Sequence, residues 1–156
     1  MSKILIVFLF FGLFQCDKPG VYAEKSLVGE WRYVGTFNHT TEYSCYVCSD
    51  FDYEKSLYRL TFNDDKSYTA KINLLIGKGE YTTSVEKSEN DHVSGTFENL
   101  NLQILNKPYE TDADSKFQSM FMEANYFVLN TNSMRHNYDE LILGSNNSEY
   151  LLFVRK

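Results

Sequence analysis

With 156 residues, 43% of them hydrophobic and 16% aromatic, the chain can build one well-filled domain of about 100 to 150 residues but not comfortably two. The formal charge of −6 and the lack of any Lys/Arg stripe argue against nucleic acid as a partner, because phosphate neutralisation needs clustered cations. The acidic excess reads as a solubility device rather than a cation-binding surface. Twelve Tyr and twelve Phe against one Trp and two Pro is strand-rich usage.

The amino terminus reads as an export signal. Met1-Ser2-Lys3 supplies a positive start, and Ile4 to Phe14 is an apolar run far short of the roughly 20 residues of a spanning helix. Leu13-Phe14-Gln15-Cys16 resembles the lipobox of bacterial lipoproteins, departing from it at Phe14 and Gln15, where small residues are usual. That reading makes 1–15 a lipoprotein-type signal helix, Cys16 the lipid acceptor, 16–25 a tether and 26–156 the folded domain. The competing site is Val21-Tyr22-Ala23, which would release a soluble secreted or periplasmic protein starting at Glu24.

Leu27 to Val34 is expected to form the first strand. Its Gly29-Glu30-Trp31 opening also occurs in lipocalins and fatty-acid-binding proteins, where the Trp plugs one barrel end near a basic residue of the last strand, a role open to Arg155; simple core packing of Trp31 is the plainer reading. Phe37 to Lys55 is polar, irregular and long for a connection. It carries Cys45 and Cys48, and in an oxidising compartment a local disulfide is the plain expectation. Thiol exchange has the right Cys-x-x-Cys spacing, but needs a helix N-terminus in a βαβ unit that the sequence does not offer. Zinc would need two more ligands, and His39, His92 and His136 are widely scattered. Asp50-Phe51-Asp52 and Asn63-Asp64-Asp65 lack the spacing of a calcium loop, and no metal or cofactor is expected. The sequons at Asn38 and Asn146 would go unused in a bacterial source.

Leu57 to Val85 shows period-two alternation, the mark of a half-buried antiparallel sheet. Tyr58, Leu60 and Phe62 fall on one side; after an acidic turn at 63–66, Tyr68, Ala70, Ile72, Leu74 and Ile76 do the same. Gly77-Lys78-Gly79 is expected to be a turn with positive-φ glycines, followed by a strand over Glu80 to Val85. His92 to Leu105 makes a further strand or pair, with Val93, Phe97, Leu100, Leu102 and Ile104 as core candidates. Thr111 and Asp112 offer caps to a helix over about 112–124, whose stripe of Ala113, Phe117, Met120, Phe121 and Ala124 should cover the sheet. Asn125 to Leu129 is a strand and Thr131 to Tyr138 a loop. Glu140 to Leu143 and Tyr150 to Val154 form a closing hairpin.

Gly29-Glu30-Trp31, Tyr58-Arg59-Leu60-Thr61-Phe62, Lys71-Ile72-Asn73 with Gly77-Lys78-Gly79-Glu80-Tyr81, and the segments around Phe117 to Ala124, Tyr126 to Leu129, Leu141 to Leu143 and Tyr150 to Arg155 together resemble the META domain family, which contains the HslJ proteins. The similarity runs over roughly Leu27 to Lys156. It implies a cell-envelope lipoprotein with no assigned catalytic residue. Ile72-Asn73-Leu74-Leu75 departs from the family's central turn, so Asn73 alone carries over, as a turn or backbone-bonding residue. The expected fold is mainly β (α+β): a twisted antiparallel sheet or open barrel of about 7–8 strands with one amphipathic helix, and Trp31, Asn73, Phe117, Phe121 and Arg155 as structural residues. The expected function is a monomeric, non-catalytic envelope domain, held to the membrane by a lipid anchor and binding an envelope protein or small hydrophobic ligand, with a role in envelope stress. A lipocalin-like carrier is the alternative. An enzyme is disfavoured, because the His, Ser and acidic residues stand at no informative spacing.

Overall fold

The protein is described by a computed structural model over residues 27–38, 52–89, 91–106, 109–133, 138–145 and 149–156. The expected signal peptide, Cys16, the tether, His39, Cys45, Cys48, His136 and Asn146 lie outside these residues. Alternating apolar and polar side chains build nine strands among the described residues: β1 (Gly29–Asn38), β2 (Tyr58–Phe62), β3 (Ser67–Ile72), β4 (Leu75–Glu89), β5 (His92–Leu100), β6 (Gln103–Ile104), β7 (Tyr126–Ser133), β8 (Tyr138–Gly144) and β9 (Glu149–Arg155). An α-helix, α1 (Asp112–Glu123), stands between β6 and β7, and a short 3-10 turn at Tyr53–Lys55 precedes β2.

Every pairing among these strands is antiparallel. The ring runs β3-β2-β1-β9-β8-β7-β5-β4, and β3 pairs back onto β4, so eight strands close a barrel. β6 continues the line of β5 along the first part of β4, with Lys78 opposite Gln103 and Gly77 opposite Ile104. The antiparallel framework with one packed helix agrees with the sequence; the ring is closed rather than open.

Interior positions are those the alternation marks. Trp31, Leu60, Phe62, Tyr68, Ala70, Ile72, Tyr81, Val93, Phe127, Leu129, Leu141, Leu143, Leu151 and Phe153 form one buried cluster. Barrels of eight strands have an interior just wide enough to be filled by side chains or to hold one small ligand. Aromatic rings fill this one, as in the edge-on contact of Phe62 with Tyr81 at 4.9 Å. Tyr150, Leu152 and Val154 are buried on the opposite side of β9, so that strand is covered on both faces.

Three local expectations are corrected. Gly77-Lys78-Gly79 is not a turn but the interior of β4; the hairpin turns instead at Asn73-Leu74, with Ile72 paired to Leu75 and Asn73 at φ 55°. The two glycines serve a close approach: a Cβ on Gly77 would strike Leu102 Cδ1, and one on Gly79 would collide with the carbonyl oxygen of Asn101 and the Tyr68 ring. The two-residue turn also reverses the facing of the strand it leads into, so Leu74 and Ile76 are exposed at 60% and 51% while Leu75 is buried. Finally, the expected loop over Thr131 to Tyr138 is strand through Ser133.

Replacing Gly79 with Ala forces β4 and the 101–102 segment apart, and should cost about 1–3 kcal/mol as an overpacking strain. Urea unfolding measures this; a loss within about 0.5 kcal/mol, the range of a neutral surface change, would contradict the close approach.

Candidate functional site

Both barrel ends are closed by side chains, and the chemistry of each closure is local. At one end Trp31, fully buried, donates its indole N–H to the Leu27 carbonyl at 2.6 Å. The Arg155 guanidinium lies 4.3 Å from the Trp31 ring, donates to the Val28 carbonyl at 2.6 Å and meets Asp139 Oδ2 at 2.6 Å. Gly29 sits between them at φ 127°, and its missing Cβ leaves room for Arg155 Nη1 and Cδ. Close packing and the unusual backbone both require glycine there.

At the other end α1 lies across the mouth. Phe117 and Phe121 enter the barrel: Phe117 packs against Tyr33 and Tyr58, each at 5.1 Å, and against Phe153 at 6.1 Å, and Phe121 meets Tyr68 at 5.5 Å. Beside them the Tyr33 hydroxyl bonds Thr36 Oγ1 at 2.7 Å, and that hydroxyl faces the Met120 sulfur at 3.8 Å. The helix start is fixed by a capping box, with Thr111 Oγ1 accepting from the Asp114 amide and Asp114 Oδ2 accepting from the Thr111 amide. Asp114 is fully buried and its other oxygen accepts from the Tyr58 hydroxyl at 2.6 Å, whereas Ala113, expected in the apolar stripe, faces solvent. Burial pushes the Asp114 carboxyl up, but the bonds from Tyr58, Thr111 and Asn73 outweigh it and hold it below its ordinary 3.8. Burial and the same carboxylate push the Tyr58 hydroxyl up to about 12. This cluster ties the helix to the barrel.

The remaining features lie outside the barrel. On the outward positions of β2, β3 and early β4, Arg59 stands opposite Lys71, Lys71 opposite Ile76, and Thr69 opposite Lys78. A surface cleft of about 590 Å³ opens here, lined by Ser67, Thr69, Lys78, Glu80, Asn101 and Gln103 among others. Toward the helix end it runs into an apolar rim of Leu57, Leu74, Ile76 and Leu105, each more than half exposed. Backbone bonds knit the rim together: Asn73 N to the Leu57 carbonyl at 3.1 Å and Leu105 N to the Ile76 carbonyl at 2.8 Å, with the Asn106 amide donating to the Leu74 carbonyl at 3.0 Å. A smaller cavity of about 120 Å³ lies between Met120 and Glu123 of α1 and the β8–β9 turn.

Of the residues singled out in the sequence, Trp31 and Arg155 meet at one end and Phe117 and Phe121 at the other, with Asn73 in the hairpin turn beside Asp114. Asp114 and the basic, apolar-rimmed outer face were missed. The signal for the face was the pairing of Asn73 with a two-residue turn, which would have turned Leu74 and Ile76 outward. His92 bonds Asn130 Oδ1 at 2.9 Å through Nδ1. Among the described residues no three His, Cys, Asp or Glu side chains converge on a metal position, and no helix is long and apolar enough to cross a membrane.

No protein-family model and no curated protein matches the chain. Two solved structures match it. A DUF4847 family protein from Bacteroides vulgatus is 15% identical, with 86% of this chain and 97% of that chain covered and a TM-score of 0.53. A protein from Burkholderia xenovorans solved by NMR is 11% identical, with 100% and 95% covered and a TM-score of 0.55. At these identities the likeness shows the fold alone.

Because the carboxyl of Asp114 is held below 3.8, its contribution is complete above that pH and is lost as pH falls through the lowered folded value. Tyr58 works in the opposite direction: its contribution is complete below pH 10 and drains as pH rises toward about 12. Asp114→Asn should lower stability by roughly 1.5–3 kcal/mol at neutral pH, the worth of a charge-assisted bond set, and flatten the acid limb of a stability-versus-pH curve. An acid limb identical to that of the unmodified chain would refute this assignment.

Proposed function

We propose that the chain is a non-catalytic binding domain of the cell envelope, of META/HslJ type, anchored by lipid at Cys16 and engaging its partner through its outer surface. The observation that carries this reading is the occupied barrel mouth. Phe117 and Phe121 of the chain's own helix fill the space in which a carrier of this ring size would hold its ligand. Recognition is then left to the outside, where the cleft between β3, β4 and the 101–103 segment offers hydroxyl, amide and ammonium groups. The export signal and the order of META-like segments support the location and the family, and a role in envelope stress follows from that resemblance.

A second reading, a carrier of a small hydrophobic ligand, is favoured by the closed eight-strand ring and by the Trp31–Arg155 stack at its base. It requires α1 to leave the mouth. The two readings differ in a titration with a neutral apolar fluorescent probe such as N-phenyl-1-naphthylamine, which lacks the sulfonate that the basic outer face would attract. The filled barrel predicts no saturable binding by the unmodified protein. Phe117→Ala, at a cost of about 3–5 kcal/mol, should create a cavity that takes the probe. Stoichiometric probe binding by the unmodified protein would favour the carrier.

The anchor has its own test. Intact-mass measurement of the protein purified from membranes is expected to give a chain beginning at acylated Cys16; a product beginning at Glu24 ends the lipoprotein assignment and leaves a soluble domain.

A further inference from the structure

We infer that the rim formed by Leu57, Leu74, Ile76 and Leu105 seats on an anionic lipid surface, with Arg59, Lys71 and Lys78 behind it contacting phosphate headgroups. The inference rests on the envelope reading for the presence of a membrane within reach, and on the geometry of the rim for the contact itself.

Four aliphatic side chains, each exposed between 51% and 60%, project from one hydrogen-bonded knot of turns and strand ends. Immediately behind them the outward positions run Arg59, Lys71, Ile76 in register across β2, β3 and β4, with Lys78 next along β4. Glu80 is the one carboxylate among the described residues that line the cleft. A chain of net charge −6 therefore presents a locally cationic flank beside the most exposed aliphatic side chains among the described residues. That combination of apolar insertion and basic headgroup contact is the physical basis of interfacial binding to anionic lipid. Three of the carboxylates near this end are engaged elsewhere. Glu54 faces Arg32 at 3.5 Å, Asp52 pairs with Lys55 at 2.8 Å, and Glu110 is turned onto α1, where Ser115 and Gln118 donate to it. Asp112, in the first turn of α1, is exposed.

Reach is compatible with the contact. The ten residues between Cys16 and Leu27 span up to about 35 Å when extended, comparable with the ten-residue run of β1. A domain anchored at Cys16 can therefore lie with the rim on the bilayer instead of standing away from it.

Trp31, the single native tryptophan, is fully buried, so a second one reports its own surroundings. The full chain carrying Leu74→Trp is placed with vesicles of phosphatidylglycerol and dibrominated phosphatidylcholine, and with vesicles of dibrominated phosphatidylcholine alone. Ser88→Trp, on the exposed far part of β4, is the control. The expected result is a blue shift and bromine quenching of the residue-74 signal on the anionic vesicles, with residue 88 unquenched. Lys71→Gln with Lys78→Gln should remove the dependence on phosphatidylglycerol. Loss of quenching at residue 74 in a chain that still floats with the vesicles means an anchor without a seated rim and overturns the proposal. Equal quenching on both vesicle types overturns its electrostatic half, and no quenching in a chain that also fails to float overturns the whole. Intact mass separates these outcomes from failure of the lipoprotein reading, because quenching at residue 74 does not require acylation of Cys16.

Discussion

The seating of Phe117 and Phe121 among Tyr33, Tyr58, Tyr68 and Phe153 is the contact on which the rest of this structure turns. A ring of eight strands cannot remain an empty tube of side-chain width, because a void deprives its lining of dispersion partners. Here the filling comes from three directions. Trp31 enters from the base, the aromatic residues of the strands fill the middle, and a helix inserted between β6 and β7 supplies the top. The Leu102 side chain and the Asn101 carbonyl contribute as well, taking the places that side chains on Gly77 and Gly79 would otherwise occupy. Each phenylalanine removed from water contributes roughly 1.5–3 kcal/mol, a sizeable share of the 5–15 kcal/mol that holds a typical domain together.

The helix cannot be held by apolar contact alone, since an amphipathic segment of twelve residues is marginal in isolation. Asp114 gives it a defined position. Its carboxylate satisfies the first turn of its own helix and, through Tyr58, a strand far away in the sequence. A buried carboxylate is tolerated here because bonds from Tyr58, Thr111 and Asn73 replace the water it has lost.

Much of the framework was legible locally. Period two in Tyr58 to Phe62 and in Tyr68 to Ile72, the cap at Thr111 and the spacing of Phe117 and Phe121 all survive into the structure because burial and local geometry demand the same residues. The two misreadings around β4 share one cause. Glycine is the best turn former, so Gly77 and Gly79 drew the turn to themselves, yet Asn73 also tolerates the left-handed region and took it. Once the turn moved, the faces of Leu74 and Ile76 moved with it. The role of Asp114 was hidden for a different reason, because its partner Tyr58 is distant in sequence and polarity alone predicts exposure. Ring closure was legible only through the Gly29-Glu30-Trp31 opening and its match to Arg155 in the last strand; the alternation within β1 and β9 does not by itself say that they pair. The cationic flank was masked by averaging: a total of −6 gives no warning that Arg59, Lys71 and Lys78 share one side.

The ring has a single seam between distant parts of the chain. β2, β3 and β4 each pair with the strand before them, β7 pairs across the helix with β5, and β8 and β9 continue in turn, but β9 must return to β1. Until β9 is in place, the meander is a strip whose two edges carry unsatisfied amides. Completion of the ring therefore waits on β9, the strand that joins the two ends of the meander, and closing so long a loop is the slow step of such a topology.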